Sequence, residues 1–245
     1  MTGFAESVDR RVLGGFVFVD AITNESIPSL LQVTSEQLRV KANHSGIYAV
    51  FNGPGFAPLT NQFIPSGTWP PPGNFEIAVS DPSLRYLARR AQIQAPQKLT
   101  GVVSPQAVRL YPGPAAMVEA NWAVARVSVS SSTGTELPWC FLQVIRADNS
   151  VAATGLSDAR GEGLLAVVGL GLQVTSTATD PVTEATTPVT IKAWFDPSVL
   201  TQPAGWVPDP DDISGNLANP ALKTATFAGA LGARQTLFAG ITISV

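Results

Sequence analysis

The chain has 245 residues, of which 13% are charged and 45% hydrophobic, with 21 glycines, 20 prolines and a formal net charge of −3. That apolar share excludes a disordered chain, and the Gly/Pro load excludes a helical bundle, because both residues break helix interiors. Sparse, slightly negative charge leaves no footprint for nucleic acid or an anionic membrane, a single cysteine (Cys140) excludes an intramolecular disulfide, and a single histidine (His44) excludes any site needing two.

Apolar residues alternate with period 2 far more often than with period 3.6, which predicts strands. Residues 16–19 (Phe-Val-Phe-Val) form the first, followed by a turn at 23–26 and strands at 30–33, 38–41 and 47–51. Runs of four or five residues separated by Gly, Pro, Asn or Ser are the spacing of an antiparallel sandwich. Residues 82–90 read either as a short helix or as an irregular turn. Asp81 would cap the helix, Pro82 suits its first position, and Leu84, Leu87 and Ala88 share a face. Gln94-Ala95-Pro96-Gln97 reads as a linker between a sandwich over 1–95 and a second over 96–245. The second strand series runs 102–103, 108–111, 124–129, 141–145, 164–168, 187–194 and 235–245. Between its last two members, an irregular arm at about 196–222 carries Pro197, Pro203, Pro208, Pro210 and Pro220 beside Asp209, Asp211 and Asp212. The stretch 16–19 is too short for a signal-peptide core, and the longest apolar stretch, 164–172, falls short of the ~20 residues of a membrane span. Cytoplasmic synthesis without a signal peptide and without a membrane span is therefore expected.

Two segments share one order of features. The first runs through Ile27-Pro28, Leu31-Gln32-Val33, Asn43-His44-Ser45-Gly46 and the strand at 47–51. The second runs through Leu137-Pro138, Leu142-Gln143-Val144, Asp158-Ala159-Arg160-Gly161 and the strand at 164–168, with Glu162-Gly163 reading as two extra residues, a bulge. Their separation is about 110 residues, the length of one small sandwich. An apolar residue before proline enters a strand extended, and Leu-Gln-Val alternates in, out, in. Asn or Asp at the first turn position and Gly at the fourth suit a type I turn whose side chain bonds its own backbone. Pro28, Asn43, Gly46, Pro138, Asp158 and Gly161 are therefore the residues expected to set the turns.

The strand–turn–strand order, with Asn43 to Gly46 before Tyr48 and Asp158 to Gly161 before Leu165, resembles the carboxypeptidase-regulatory-like, or transthyretin-like, β-sandwich. The resemblance implies an all-β chain of tandem seven-stranded sandwiches used for docking or scaffolding and not for catalysis. Asp81-Pro82-Ser83-Leu84-Arg85-Tyr86-Leu87, Arg109-Leu110-Tyr111-Pro112 and Arg160-Gly161-Glu162-Gly163-Leu164-Leu165 resemble stretches of accessory proteins of phage-like contractile tails and injection systems. That implies a place in a virion or phage-like particle.

Catalytic chemistry finds little footing. Gly-x-Ser-x-Gly does not occur, and His44 sits in a turn that Asn43 and Gly46 already explain. Cys140, between Trp139 and Phe141, reads as a buried inert thiol. Gly113-Pro114 and Gly169-Leu170-Gly171 lack the residues of a phosphate cradle. Asp209-Pro210-Asp211-Asp212, with Ser214 and Asn216, is rich in oxygen but misses the spacing of a calcium loop. No catalytic residue, metal or cofactor is expected. Trp69, before Pro70-Pro71-Pro72, and Trp206 are the candidates for ligand or partner contact, as in a carbohydrate- or peptide-binding module. Low charge favours the other reading, a structural part of a multi-subunit assembly, since interfaces are depleted of charge at their centres. Its partners would be protein subunits, copies of the chain itself among them.

Overall fold

Alternating apolar and polar side chains pair into sheets wherever one face of the strand can be buried. The computed structural model describes residues 12–56, 71–97, 104–170 and 186–245. Among them the earlier half forms strands β1 (Gly14–Asp20), β2 (Gln32–Thr34), β3 (Arg39–Ala42), β4 (Ile47–Asn52), β5 (Gly73–Ser80), β6 (Arg89–Ala95) and β7 (Gln106–Leu110). The later half forms β8 (Ala123–Ser131), β9 (Phe141–Arg146), β10 (Val151–Leu156), β11 (Glu162–Val167), β12 (Thr187–Phe195), β13 (Lys223–Leu231) and β14 (Thr236–Ile243). Among the described residues two short helical turns interrupt them, a 3₁₀ turn at Pro197–Thr201 and α1 at Pro210–Ser214. The fold is an all-β sandwich.

The sheets have the orders β3-β4-β1-β7 and β2-β5-β6 in the first half, and β11-β8-β14 and β10-β9-β12-β13 in the second. Counted from β1 and from β8, the two halves have the same central ladders. They differ at the third strand: β3 lies beside β4, whereas β10 lies beside β9. The connections explain the difference. A tight turn joins β9 to β10, with Asp148 Oδ1 accepting from the Ser150 amide and Asn149 at φ +64°, so β10 folds back onto β9. The link from β2 to β3 instead crosses over, with the Ser35 hydroxyl donating to the Glu76 carbonyl.

The ladders are not all antiparallel. β1 pairs parallel with β7, and β8 parallel with β14, which corrects the expectation of purely antiparallel sheets. Parallel neighbours so far apart in sequence leave no hairpin signal to read. The pairing of β7 also moves the expected boundary at 95/96. Val108 and Leu110 belong to the first core, with Phe16, Phe18, Tyr48 and Ile93. The expected linker is stapled into that half. Ala95 is buried, the Gln97 amide donates to the Leu13 carbonyl, and the Gln97 side chain bonds both backbone groups of Gly15. A second core gathers Val127, Leu142, Val144, Ile191 and Ile241. Tyr111, Phe141, Leu156, Trp194 and Ile213 make a third cluster around the junction. Ile213 comes from α1, so the arm packs inward and is no excursion.

Residues 82–90 form no helix. The Asp81 carboxylate gathers the amides of Ser83, Arg85 and Tyr86, Leu84 sits at φ +56°, and Arg89 and Arg90 already belong to β6. The bulge expected at Glu162-Gly163 is absent as well. β11 pairs with β8 without a register shift, and the Glu162 amide donates to Asp158 Oδ1 as the Ile47 amide does to Asn43 Oδ1. Gly163 therefore stands where Tyr48 stands in the first half. Tyr48 donates its hydroxyl to the Leu31 carbonyl, whereas a Cβ on Gly163 would lie 2.5 Å from a Leu142 methyl. Leu142 thus leaves no room for a side chain at the position that Tyr48 holds in the first half. The expected strand at 102–103 lies outside the described residues.

The two turns are built alike. Asn43 Oδ1 accepts from the Ser45 and Ile47 amides, and Asp158 Oδ1 from the Arg160 and Glu162 amides. Gly46 and Gly161 both sit at φ +75°. Their surroundings differ: a Cβ on Gly46 would meet the Ile27 carbonyl at 3.4 Å, but one on Gly161 would meet the Val129 carbonyl at 2.5 Å and the Leu137 carbonyl at 2.9 Å. Gly46→Ala should lose about 1–2 kcal/mol from left-handed strain alone. Gly161→Ala, which must also displace backbone, should lose about 3 kcal/mol or more. Urea unfolding of the two variants measures the gap, and equal losses would contradict this account of the second turn.

Candidate functional site

The halves meet at Arg89, whose side chain is 1% exposed. Its Nε donates to the Arg90 carbonyl and Nη1 to the Arg109 carbonyl, tying the start of β6 to β7. Nη2 donates to Asp209 Oδ1 at 2.5 Å and to Asp211 Oδ2 at 2.6 Å, both from the arm. The Arg90 amide donates to the Pro208 carbonyl beside them. Asp209 also caps α1 through the Asp211 amide. The acidic cluster of the arm is thus the counter-charge of a buried guanidinium, and a cation there would have to displace Arg89. Among the described residues no group of three or more His, Cys, Asp and Glu side chains is placed to hold a metal.

Beside the junction, the Asp81 carboxylate organises the turn that leads into β6. Both of its oxygens receive the Ser83 hydroxyl, and three backbone amides complete its shell. Burial alone would raise this carboxyl, but the hydroxyl and amide donors outweigh it and hold Asp81 below its usual range. Tyr86 closes the turn by donating its hydroxyl to Asp20 Oδ2 at 2.7 Å, and burial followed by that bond pushes the phenol far above its usual range. The turn presents Leu84 to solvent, 83% exposed in spite of its positive φ. Backbone strain of this kind costs about 1–3 kcal/mol and persists only where the surroundings impose it. The connector at 112–122 runs alongside, with the Gly113 amide donating to the Arg85 carbonyl and Ala116 to the Gly113 carbonyl. It carries Met117, 97% exposed. A groove of about 330 Å³ lies here, with Ile22, Pro28, Tyr86, Pro112, Met117 and Trp122 among its walls.

The turn residues divide between the two halves. Gly46 faces the Ile27 carbonyl, next to Pro28, and Gly161 faces the Leu137 carbonyl, next to Pro138. Pro28 lines the groove, while Pro138 and the Asp158 turn belong to the second half. His44 is exposed on its turn. Cys140 is buried, its amide accepted by the Ser157 hydroxyl, and burial pushes the thiol up to about 12, so it carries no thiolate at neutral pH. Trp206 is half-buried against the second core, with the Arg90 guanidinium 5.6 Å above its ring. Trp69 lies outside the described residues. Sequence reasoning missed Arg89, and of its two readings of 82–90, a helix capped by Asp81 or an irregular turn, the turn is the one formed. The signal available for Arg89 was the Arg-Arg pair at 89–90, set against the acidic Asp-Pro-Asp-Asp of the arm.

No protein-family model matches the chain, and no curated protein matches it either. Among solved structures, the Bacillus anthracis TIE protein is similar over 95% of this chain at 11% identity with a TM-score of 0.29. The chain spans 34% of that protein's length.

Asp81 generates a pH prediction. Its folded carboxyl titrates below the unfolded value of 3.8, so its contribution is complete above that value and drains as pH falls towards the folded one. Asp81→Asn should unfold more easily than the parent at pH 7, by about 1–3 kcal/mol for amides left short of an acceptor. The difference should shrink in acid as the parent loses its carboxylate. A gap that stays constant from pH 7 to pH 3 would contradict the carboxylate's role.

Proposed function

We propose that the chain is a non-enzymatic structural module that packs against protein neighbours in a multi-subunit particle. The observation that carries this reading is the pair Leu84 and Met117, two large apolar side chains held out to solvent on adjacent, hydrogen-bonded turns. The Asp81 shell imposes the left-handed backbone at Leu84, and the turn so fixed holds the leucine out to solvent. Such a knob, beside a groove whose walls mix the rings of Pro28, Tyr86, Pro112 and Trp122 with Asp20, Glu25, Arg85 and Glu119, suits docking of a partner. The sparse charge of the chain supports the same reading, because few like charges hold neighbours apart. Among the described residues, Arg89, Asp209 and Asp81 are committed to hydrogen bonds that hold the backbone, and Cys140 to the core. Assignment of the particle to a phage-like contractile tail or injection apparatus rests on the sequence resemblance of residues 81–87, 109–112 and 160–165.

Leu84→Ser with Met117→Ser tests the reading, since both side chains are exposed and their loss should leave thermal unfolding within about 0.5 kcal/mol of the parent. In cells that make the protein, the parent chain should sediment with a large assembly and the double variant should remain in the light fraction. Parent chain found only as free protein, or a variant that sediments unchanged, would contradict the proposal.

A further inference from the structure

The two halves treat the same sheet edge differently. In the first half the outer edge of β6 is closed. The Gln94 amide donates to Gln106 Oε1, Gln106 Nε2 donates to the Gln92 carbonyl, and the Arg90 amide is taken by Pro208 of the arm. Its counterpart β13 ends the sheet β10-β9-β12-β13, paired with β12 along all nine residues. Among the described residues nothing hydrogen-bonds to the far side of β13. An exposed row of amides and carbonyls is a template for a further strand, and chains blunt such edges with charge, proline, bulges or short length. β13 has none of these beyond Lys223 at its first position: its sequence is Lys-Thr-Ala-Thr-Phe-Ala-Gly-Ala-Leu. Most of the other described edges are protected. β2 has three residues, β3 carries Arg39 and Lys41 across a register shift, β7 has five residues with Arg109, and β10 is bulged. β11 opens on Glu162 and is bridged to Ser157 through Gly163.

We propose that β13 is the self-association edge of the protein, pairing antiparallel with β13 of a second copy about a two-fold axis at Phe227. This inference takes protein neighbours from the reading above and goes beyond it by naming one. The pattern of β13 is self-complementary. In its full-length antiparallel register, Phe227 faces its own copy, Thr226 faces Ala228, Ala225 faces Gly229, Thr224 faces Ala230 and Lys223 faces Leu231. Half-buried residues then meet half-buried ones and exposed ones meet exposed ones, except where buried Leu231 faces exposed Lys223, and the lone charge never meets itself. β14, uncharged and eight residues long, would have to leave one residue unpaired to do the same. Phe227, half-buried at the rim of the second core, would be covered by its symmetry mate. The product is one continuous eight-stranded sheet, and a net charge of −3 per chain opposes it little.

Two variants of the full chain test the proposal. Thr226→Glu with Ala228→Glu alters only exposed positions, and the new carboxylate at position 226 lies opposite Lys192 of its own β12, so folding is retained. Across the two-fold, the carboxylate at position 226 of each copy would face the one at position 228 of the other. Light scattering of the parent over a concentration series should reach twice the 25.6 kDa of one chain. The doubly acidic variant should stay at one chain's mass, with self-association at least about tenfold weaker. Thr226→Cys with Ala228→Cys should give a reducible covalent dimer under mild oxidation. Two cysteines two apart on one strand cannot bridge each other, and Cys140 is buried. A parent that stays monomeric, an acidic variant that still dimerises, or a cysteine variant that forms no covalent dimer would each overturn the proposal. None of these results touches the Leu84 and Met117 test, so the two readings fail separately.

Discussion

A guanidinium with almost no contact with water must find partners for its donors or leave the fold, and Arg89 finds them in three segments. Two backbone carbonyls, of Arg90 and Arg109, fix β6 against β7, and two carboxylates of the arm close the shell. The arrangement is costly to build. Burial pushes Asp209 above its usual carboxyl range against the pull of Arg89, which marks the desolvation that the ion pair has to offset. What the pair supplies is position. Removing one partner strands a buried charge at a cost of about 3–5 kcal/mol, so Arg89 and the arm hold each other in place. Ile213 follows from the same helix into the cluster of Tyr111, Phe141 and Trp194, and the junction gains an apolar floor.

The strand order repeats between the two halves, and the repeat is more informative where it fails. Both halves keep the same parallel pairing of first and seventh strands and the same side-chain-bonded turn before the fourth. They diverge in the third strand, in the exchange of Tyr48 for Gly163 against Leu142, and in the use made of the sixth strand's edge. The first half uses that edge to receive the arm of the second. Among the described residues, the equivalent strand of the second half receives nothing and stays open. One topology thereby yields one closed wall and one available wall.

Strands with aliphatic alternation were legible in the sequence: β1, β4, β8, β9 and β12 follow their apolar residues within a few positions. β6 was hidden because its outward positions are Arg and Gln and its start overlapped a helical stripe at 82–90. That stripe of Leu84, Leu87 and Ala88 had the right period, but Asp81 takes the amides a helix would need. β13, built largely of Thr, Ala and Gly, has too little apolar contrast to register as alternation. The linker reading of 94–97 followed its small and polar residues, yet Gln97 staples that segment to the first strand. Its amide donates to the Leu13 carbonyl and its side chain bonds the backbone of Gly15, tertiary contacts with no local trace. Arg89 was hard to read for a similar reason, since the Arg-Arg pair that signals it stands 120 residues from its acidic partner Asp209.

If Arg89 joins the halves as described, they should lose structure together. Hydrogen exchange across a urea series, read separately for β1 of the first core and β12 of the second, measures this directly. The account predicts one shared opening step in the parent and two separate steps once Arg89→Met removes the charge. Independent opening of β1 and β12 in the parent, or a single step that survives Arg89→Met, would contradict it.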